Sequence, residues 1–375
     1  MNDIRVSIIT VCLNSGKTIE KTIQSVMSQT YKNIEYIIID GQSVDGTLEI
    51  IEKYRNQIAK CISEKDNGLY DAMNKGIALA TGEIIGIINS DDWYAPDAVE
   101  NIVKMFQQGS TGVVYGGMEI VYSDGRTSRV KNGPLEQMLY RMVVPHPTAF
   151  VRKEIYDTVG NFDLKYKIVA DYDLFLRMYL QDVKMQQITS VIAYFRDGGL
   201  STSHAAKCAE EVREVAKYYA EQRRDLKTLE QIENYYRTRI RDAKTKELVF
   251  RILKNKKEIA KTVLKKGLNG RNKVSIFGAG NVGVQCALFL KEMNVEVDCF
   301  LDNDKGKYKD LFMGKAIRNC RTNKLEENFI IVAVMNYQEE IVRQLIELGY
   351  QKDEDFCVYY DLVEKVGGFI CPDYL

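Results

Sequence analysis

Two short, nearly unbroken apolar runs constrain the fold most: VSIITVCL at 6–13 and IEYIII at 34–39. Between them, Ile19, Ile23, Val26 and Met27 recur at helical spacing. Continuous β-branched runs suit a sheet covered on both faces, and strand, helix, strand in that order makes a βαβ unit and a parallel sheet. The alternation continues. A helix is predicted around 45–57 after the turn GQSVDG, a second near 71–80, and a strand at 84–88. A helix at 96–107 is expected to open with Pro96 in its first turn, and a loose strand follows at 113–122. The segment DYDLFLRMYLQ at 171–181 reads as a helix with Leu174, Phe175 and Met178 on one face.

At 375 residues the chain has room for two domains. Its 52 Lys+Arg balance 52 Asp+Glu, so charge gives no reason to expect a nucleic-acid partner. The eight cysteines (12, 61, 208, 286, 299, 320, 357 and 371) never fall in a close metal-binding spacing, and scattered reduced thiols suggest a cytoplasmic protein. The chain enters a strand-like run within a few residues, without the pattern of a signal peptide. No apolar run reaches the roughly 18 residues that span a bilayer.

The strand ends carry the chemistry. TVCLN at 10–14, Asp40 before GQSVDG, and SDD at 90–92 put Thr/Asn, Asp and Asp-Asp at successive C-terminal ends, where ligands bind in open α/β sheets. Adjacent carboxylates repel, and a divalent metal carrying a phosphate would offset that. A nucleotide diphosphate fits the set. Asp40 can accept from a base N–H, Thr10 or Asn14 can hold a base or ribose, and Asp91 and Asp92 can bind ribose hydroxyls and Mg²⁺ or Mn²⁺. Ordinary solvated turns remain the competing reading of each aspartate taken alone.

These strings, with IIIDGQSVDGT and NKGIALATGEIIGIINSDDWYAPDA in the same order and spacing, resemble family 2 glycosyltransferases over roughly residues 4–200. The resemblance implies a GT-A fold, a mixed α/β sheet flanked by helices. It also implies inverting, metal-dependent transfer of a sugar from a nucleotide donor, usually UDP-linked, to a hydroxyl of a glycan or lipid-linked acceptor. Carried over by position, Asp40 matches the base-binding aspartate, and Asp91 and Asp92 match the metal and ribose motif. Asn89 stands where an aspartate is often found. Asp171, in ADYDLFLRM, matches the general base, with Ala170 in place of the usual Glu and Asp173 as a second candidate. An inverting displacement needs a carboxylate to take the acceptor's proton, although an aspartate near a helix N-terminus also has a structural reading. His146 matches a loop on the acceptor side. His204, after the Gly/Ser stretch RDGGLSTS, is a phosphate or metal candidate. Trp93 is a sugar-packing candidate, and Lys75 and Arg196 are phosphate contacts to weigh against plain surface roles.

Composition changes near residue 205. The stretch from 205 to 270 reads as a charged helical connector after a glycosyltransferase domain at 1–204, and 205–268 offers a homo-oligomer seam as the alternative to intrachain packing. Residues 251–266 are basic with an apolar stripe, so peripheral contact with the inner face of the cell membrane competes with a solvated helix face. From Lys273 a second α/β pattern begins: a strand running into GAGNVG, a helix at 281–293, strands VEVDCFLD and FIIVAVM, a helix at 338–348 and a strand at 356–360. Gly278, Gly280 and Gly283 between strand and helix, with Asp302 ending the next strand, give the context of a dinucleotide fingerprint. Residues 271–375 therefore read as a small Rossmann-like domain that takes NAD or another nucleotide, or serves as a scaffold. The alternative function is a nucleotide-sensing assembly subunit with a degenerate glycosyltransferase half, or a bifunctional enzyme that uses both domains.

Overall fold

The computed structural model describes residues 3–199, 203–255, 257–271, 273–309, 311–319 and 328–370. Cys320, Cys371 and residues 200–202 of the Gly/Ser stretch lie outside the described residues. Tertiary contacts divide the chain into two units, Met1–Glu233 and Asn234–Leu375.

In the first unit, β1 (Val6–Cys12), β2 (Ile34–Asp40), β3 (Lys60–Ser63) and β4 (Ile84–Asn89) run parallel. To these are added β5 (Trp93–Tyr94), β6 (Val113–Val121), β7 (Thr127–Arg129), β8 (Phe150–Arg152) and β9 (Met185–Arg196). The nine strands lie in the order β3-β2-β1-β4-β8-β6-β9-β5, with β7 paired to β6. The sheet is mixed, because β8 is antiparallel to both its neighbours and β5 is antiparallel to β9. The helices are α1 (Ile19–Met27), α2 (Thr47–Lys53), α3 (Leu69–Leu79), α4 (Ala98–Phe106), α5 (Lys153–Val159), α6 (Ala170–Leu180) and α7 (Ala205–Gln222).

The unbroken apolar strands are explained by burial on both faces. Ile8 and Ile38 pack with Ile19, Ile23 and Val26 of α1 and with Val99 and Ile102 of α4. Each such side chain, fully buried, contributes about 1.5–3 kcal/mol. On the opposite face α3 approaches so closely that a Cβ on Gly76 would lie 3.2 Å from Ile9 Cδ1. The register then fixes the site. Val6 lies opposite Ile34 and Cys12 opposite Asp40, so strands that start together also end together.

A buried carboxylate closes the other end of these strands. Glu35 accepts hydrogen bonds from Ser7 Oγ (2.5 Å), Thr81 N (2.7 Å) and Thr81 Oγ1 (2.8 Å), with Arg5 at 3.6 Å and Lys60 at 3.7 Å. Burial opposes its charge, but these donors prevail and hold the carboxyl down at about 2.

Several elements depart from the sequence reading. The predicted helix at 45–57 ends at Lys53 and continues as a single 3₁₀ turn, Arg55–Gln57. Pro96 precedes α4 instead of opening it. The twelve-residue β9 went unread because its polar and apolar residues do not alternate: it is buried only at Ile188, Ile192 and Ala193.

The second unit contains a six-stranded sheet of β10 (Lys273–Phe277), β11 (Glu296–Leu301), β12 (Leu311–Phe312), β13 (Lys315–Arg318), β14 (Phe329–Val332) and β15 (Phe356–Val358). Its order is β12-β13-β11-β10-β14-β15, parallel except where β12 meets β13. The helices are α8 (Leu226–Asn255, which begins in the first unit), α9 (Lys257–Gly267), α10 (Asn281–Glu292), α11 (Gln338–Glu347) and α12 (Tyr359–Ile370). The strand predicted to reach 360 stops at Val358, where Leu362, Val363 and Val366 bury one face of α12. Among the described residues, no helix is long and apolar enough to cross a membrane.

Candidate active site

The aligned ends of β1, β2 and β4, the turn after β3 and the end of β9 surround a cleft of about 990 Å³ in the first unit. Its lining includes Asn14, Ser15 and Lys17 after β1, Gly41 and Asp45 after β2, and Asp66 after β3. Asn89, Ser90 and Asp91 contribute from β4, Tyr70 and Met73 from α3, and Arg196 and Gly199 from the end of β9. His146, Ile168 and Asp171 also line it. Polar groups thus stand on several strand ends around one space, as ligand sites in α/β sheets require.

The two aspartates of SDD part company. Asp91 lines the cleft, and burial raises its pKa, with only partial relief from Arg196. Asp92 is fully buried and does not line the cleft. Its Oδ1 accepts from the backbone N–H of Arg196 at 3.0 Å, its carbonyl accepts from Thr22 Oγ1 at 2.6 Å, and its Oδ2 has no hydrogen-bond partner among the described residues. The β5–β9 pairing, Trp93 opposite Tyr194, delivers Arg196 to this position. Asp92 thus joins α1 to β9, and only Asp91 faces the ligand space.

The nucleotide candidates divide in the same way. Thr10 is fully buried and accepts from Tyr36 Oη at 3.0 Å. Asp40 is also fully buried. It accepts from Ser43 Oγ (2.5 Å), Ser43 N (3.0 Å) and Ser63 Oγ (2.6 Å), which organises the turn after β2. Neither lines the cleft. Asn14, at φ 51°, does line it, and it ties two loops together: its N–H donates to Ser43 Oγ and its Oδ1 accepts from Val44 N. Lys75 contacts Glu64 at 2.8 Å, Asp66 at 2.7 Å and Asp71 at 3.7 Å, so it secures Asp66 and is itself outside the cleft.

Asp171 lies in the first turn of α6 and faces the cleft. Asp173, two residues on, points elsewhere. It is buried, with Arg177 Nε at 2.9 Å and Tyr219 Oη at 3.0 Å. His146 lines the cleft beside the rings of Phe162 and Phe175, and burial lowers its pKa, which favours the neutral imidazole. Trp93 does not reach the cleft; it stacks on Tyr194, with Lys21 Nζ 3.1 Å from its ring centre. His204 is exposed, precedes α7, and its Nδ1 lies 3.0 Å from Ser203 Oγ, away from the cleft lining.

Sequence reasoning did not single out Lys17, Asp45, Asp66 or Tyr70. The signal for two of them was the turn-rich KDNGLY segment, in which Gly68 at φ 117° starts α3 and leaves Asp66 and Tyr70 on either side of the turn.

Divalent metal was tested against the donor set. Among the described residues no three His, Cys, Asp or Glu side chains gather into a site. The cleft does offer hard oxygens: the half-buried Asp91 carboxylate and Asn89, whose Oδ1 has no hydrogen-bond donor among the described residues. A carboxylate relieved only in part by Arg196, with an unpaired carbonyl oxygen two residues before it, fits Mg²⁺ or Mn²⁺ that brings further oxygens on its ligand.

In the second unit a cleft of about 420 Å³ lies where the strand order reverses at β10, lined by Gly278, Asp302, Asn336 and Tyr337 among others. Gly278, at φ 122°, lies so close to β14 that a Cβ would meet Ala333 O at 2.5 Å, whereas one on Gly280 would meet nothing within 4 Å. Gly283 is buried in α10. Asp302 accepts from Lys307 Nζ (2.8 Å), Asp304 N (2.9 Å) and Ala279 N (3.2 Å). Despite partial burial, these donors lower its pKa.

The fold is of GT-A type, and the family match and curated relatives make the chain a glycosyltransferase. The glycosyl transferase family 2 profile matches residues 7–183, and that of the C2185-like, N-terminal domain matches residues 270–355. An uncharacterized glycosyltransferase of Mycobacterium tuberculosis is 33% identical over 184 residues, 47% of this chain and 69% of its own length. A PGL/p-HBAD biosynthesis glycosyltransferase of Mycobacterium bovis is 27% identical over 204 residues, 52% of this chain and 79% of its own. Staphylococcus aureus TarS 1–349, solved with UDP-GlcNAc, superposes with a TM-score of 0.52 at 19% identity, covering 72% of this chain and 80% of that one. This chain covers 39% of the longer TarS chain. The protein belongs to glycosyl transferase family 2.

Proposed function

We propose that this enzyme moves a sugar, with inversion, from a nucleotide-diphosphate donor, UDP-linked in the first instance, to a hydroxyl of a glycan or lipid-linked acceptor. The product would be a cell-surface polysaccharide or glycoconjugate. The supporting observation is a pair of unlike carboxylates in one cleft: Asp91, half-buried, with no ion pair among the described residues and only partial relief from Arg196, and Asp171, in the first turn of α6. As the acceptor oxygen bonds to the anomeric carbon and the bond to the diphosphate breaks, Asp171 takes the hydroxyl proton. Asp91 and Asn89 Oδ1 would hold Mn²⁺ or Mg²⁺; when bound, the ion neutralises charge on the departing diphosphate, so no general acid is required. Asn14, Gly41 and Asp66 line the part of the cleft where the base would lie, with Asp40 shaping the turn beneath. Arg196 adds positive charge beside Asp91.

The choice of UDP rests on the family's usual donor. A cytoplasmic enzyme held at an anionic membrane surface through 251–266 would fit such acceptors, and exposed Phe250 and Ile259 in and beside that basic stretch support this. NAD or another nucleotide at Gly278 draws less support, because Asp302 already has internal donors.

The test is donor turnover with Mn²⁺ and with EDTA, in the wild type, Asp91→Asn and Asp171→Asn. Loss of activity with EDTA and in both variants supports the reading; activity that survives all three contradicts it.

A further inference from the structure

Tyr70 is buried in the first turn of α3, with its ring 5.2 Å from that of Phe162. Its hydroxyl lies 2.6 Å from the carbonyl of Ile168 and 3.1 Å from Asp171 Oδ1, which reaches both the loop before α6 and the carboxylate on its first turn. Asp171 Oδ1 also accepts from the backbone N–H of Tyr172 at 2.9 Å. The backbone N–H of Tyr172 donates to Oδ1, and the single phenol proton is shared between Oδ1 and the nearer Ile168 carbonyl; among the described residues no donor reaches Oδ2. A carboxylate held by one oxygen has a fixed plane and leaves its other oxygen for a ligand in the cleft.

We propose that Tyr70 is the positioning residue of this site: its phenol fixes the Asp171 carboxylate so that Oδ2 meets the acceptor hydroxyl. The inference rests on the reading of Asp171 as the base. Burial and the neighbouring Asp171 raise the Tyr70 pKa well above its ordinary value, so the phenol keeps its proton, and its ability to donate, wherever the enzyme works. Among the described residues no other side chain hydrogen-bonds to Asp171. His146 is favoured as a neutral ring by burial, and Cys208 on α7 is kept a thiol by burial and by the charges of Asp171 and Glu211. Glu211 itself accepts from the backbone N–H of Ile168 at 3.0 Å. Among the described residues the phenol is thus the one side chain that hydrogen-bonds to the Asp171 carboxylate directly.

The experiment uses the full chain with ¹³C-labelled aspartate, the Asp171 carboxyl resonance being assigned by its absence in Asp171→Asn. In Tyr70→Phe, which keeps the ring, the Asp171 carboxyl resonance should move at fixed pH as its hydrogen-bond donor is lost. With UDP-N-acetylglucosamine and Mn²⁺ as the probe, kcat should fall about tenfold while the donor KM stays within about twofold. An unmoved resonance, or a moved resonance with unchanged kcat, overturns the proposal. Full turnover in Asp171→Asn overturns the base assignment instead, whatever the resonance does. Should Tyr70→Phe not fold, the ¹³Cζ shift of Tyr70 reports the same contact: it should differ between the wild type and Asp171→Asn, and an unchanged shift overturns the proposal.

Discussion

Each unit ends a central strand near an aspartate, and the two aspartates are treated in opposite ways. Asp302, after β11, is bonded to Lys307 and to two backbone N–H groups, and its pKa is lowered. Asp91, after β4, is likewise half-buried, has no ion pair among the described residues, and burial raises its pKa. Burying an uncompensated carboxylate costs stability. A carboxylate whose partner is built in serves the fold; on the reading proposed above, one without an ion pair would receive a cation from a ligand. The same contrast recurs within α6, where Asp171 faces the cleft and Asp173 is locked to Arg177.

The largest effect should come from breaking that second pair. Asp171→Asn is expected to lower turnover by about 10³-fold with donor binding retained. Asp173→Asn, which strands the buried Arg177 contact, should instead cost about 3 kcal/mol of stability, read by urea denaturation, while the folded fraction keeps its turnover. The reverse pattern would erase the distinction.

Next is the comparison of strand ends. A metal-bound nucleotide at about 100 times its Kd should raise stability by about 2.7 kcal/mol in the wild type and in Asp302→Asn, and by little in Asp91→Asn. Because the Asp91 pKa is raised, protons compete with the cation, so this stabilisation should weaken as pH falls through that raised value.

A smaller effect tests a carboxylate with built-in partners. The folded pKa of Glu35, about 2, lies below its unfolded value, so its contribution is fully present above the unfolded pKa and is lost as pH falls towards 2. By about pH 3 the loss should amount to about 2 kcal/mol. In Glu35→Gln the pH dependence of Tm between about pH 5 and 2 should flatten. The smallest effect is expected from Lys307→Met. It removes a half-exposed partner of Asp302 and should cost about 1 kcal/mol or less.

The sequence carried the strand ends well and the side-chain directions poorly. The apolar runs located β1, β2 and β4, and GAGNVG located the tight turn at Gly278, because continuous burial and a positive φ leave local marks. Which aspartate of SDD faces the cleft could not be read locally: Asp92 is turned inward by the backbone N–H of Arg196, on a strand that shows no alternation. Asp40 was read as a ligand contact, yet its oxygens are taken by Ser43 and Ser63. Ser63 lies on β3, a four-residue strand too short to declare itself. Tyr70 was missed because its partner lies about a hundred positions further along the chain.

The central claim is that Asp91 awaits a cation brought with a nucleotide. The most direct measurement is a thermal-shift panel of UDP, GDP and dTDP, each with Mn²⁺ and with EDTA, on the wild type and on Asp91→Asn. At least one nucleotide should stabilise the wild type with Mn²⁺ only, and Asp91→Asn should lose that shift. Equal stabilisation in EDTA, or an undiminished shift in Asp91→Asn, would contradict it.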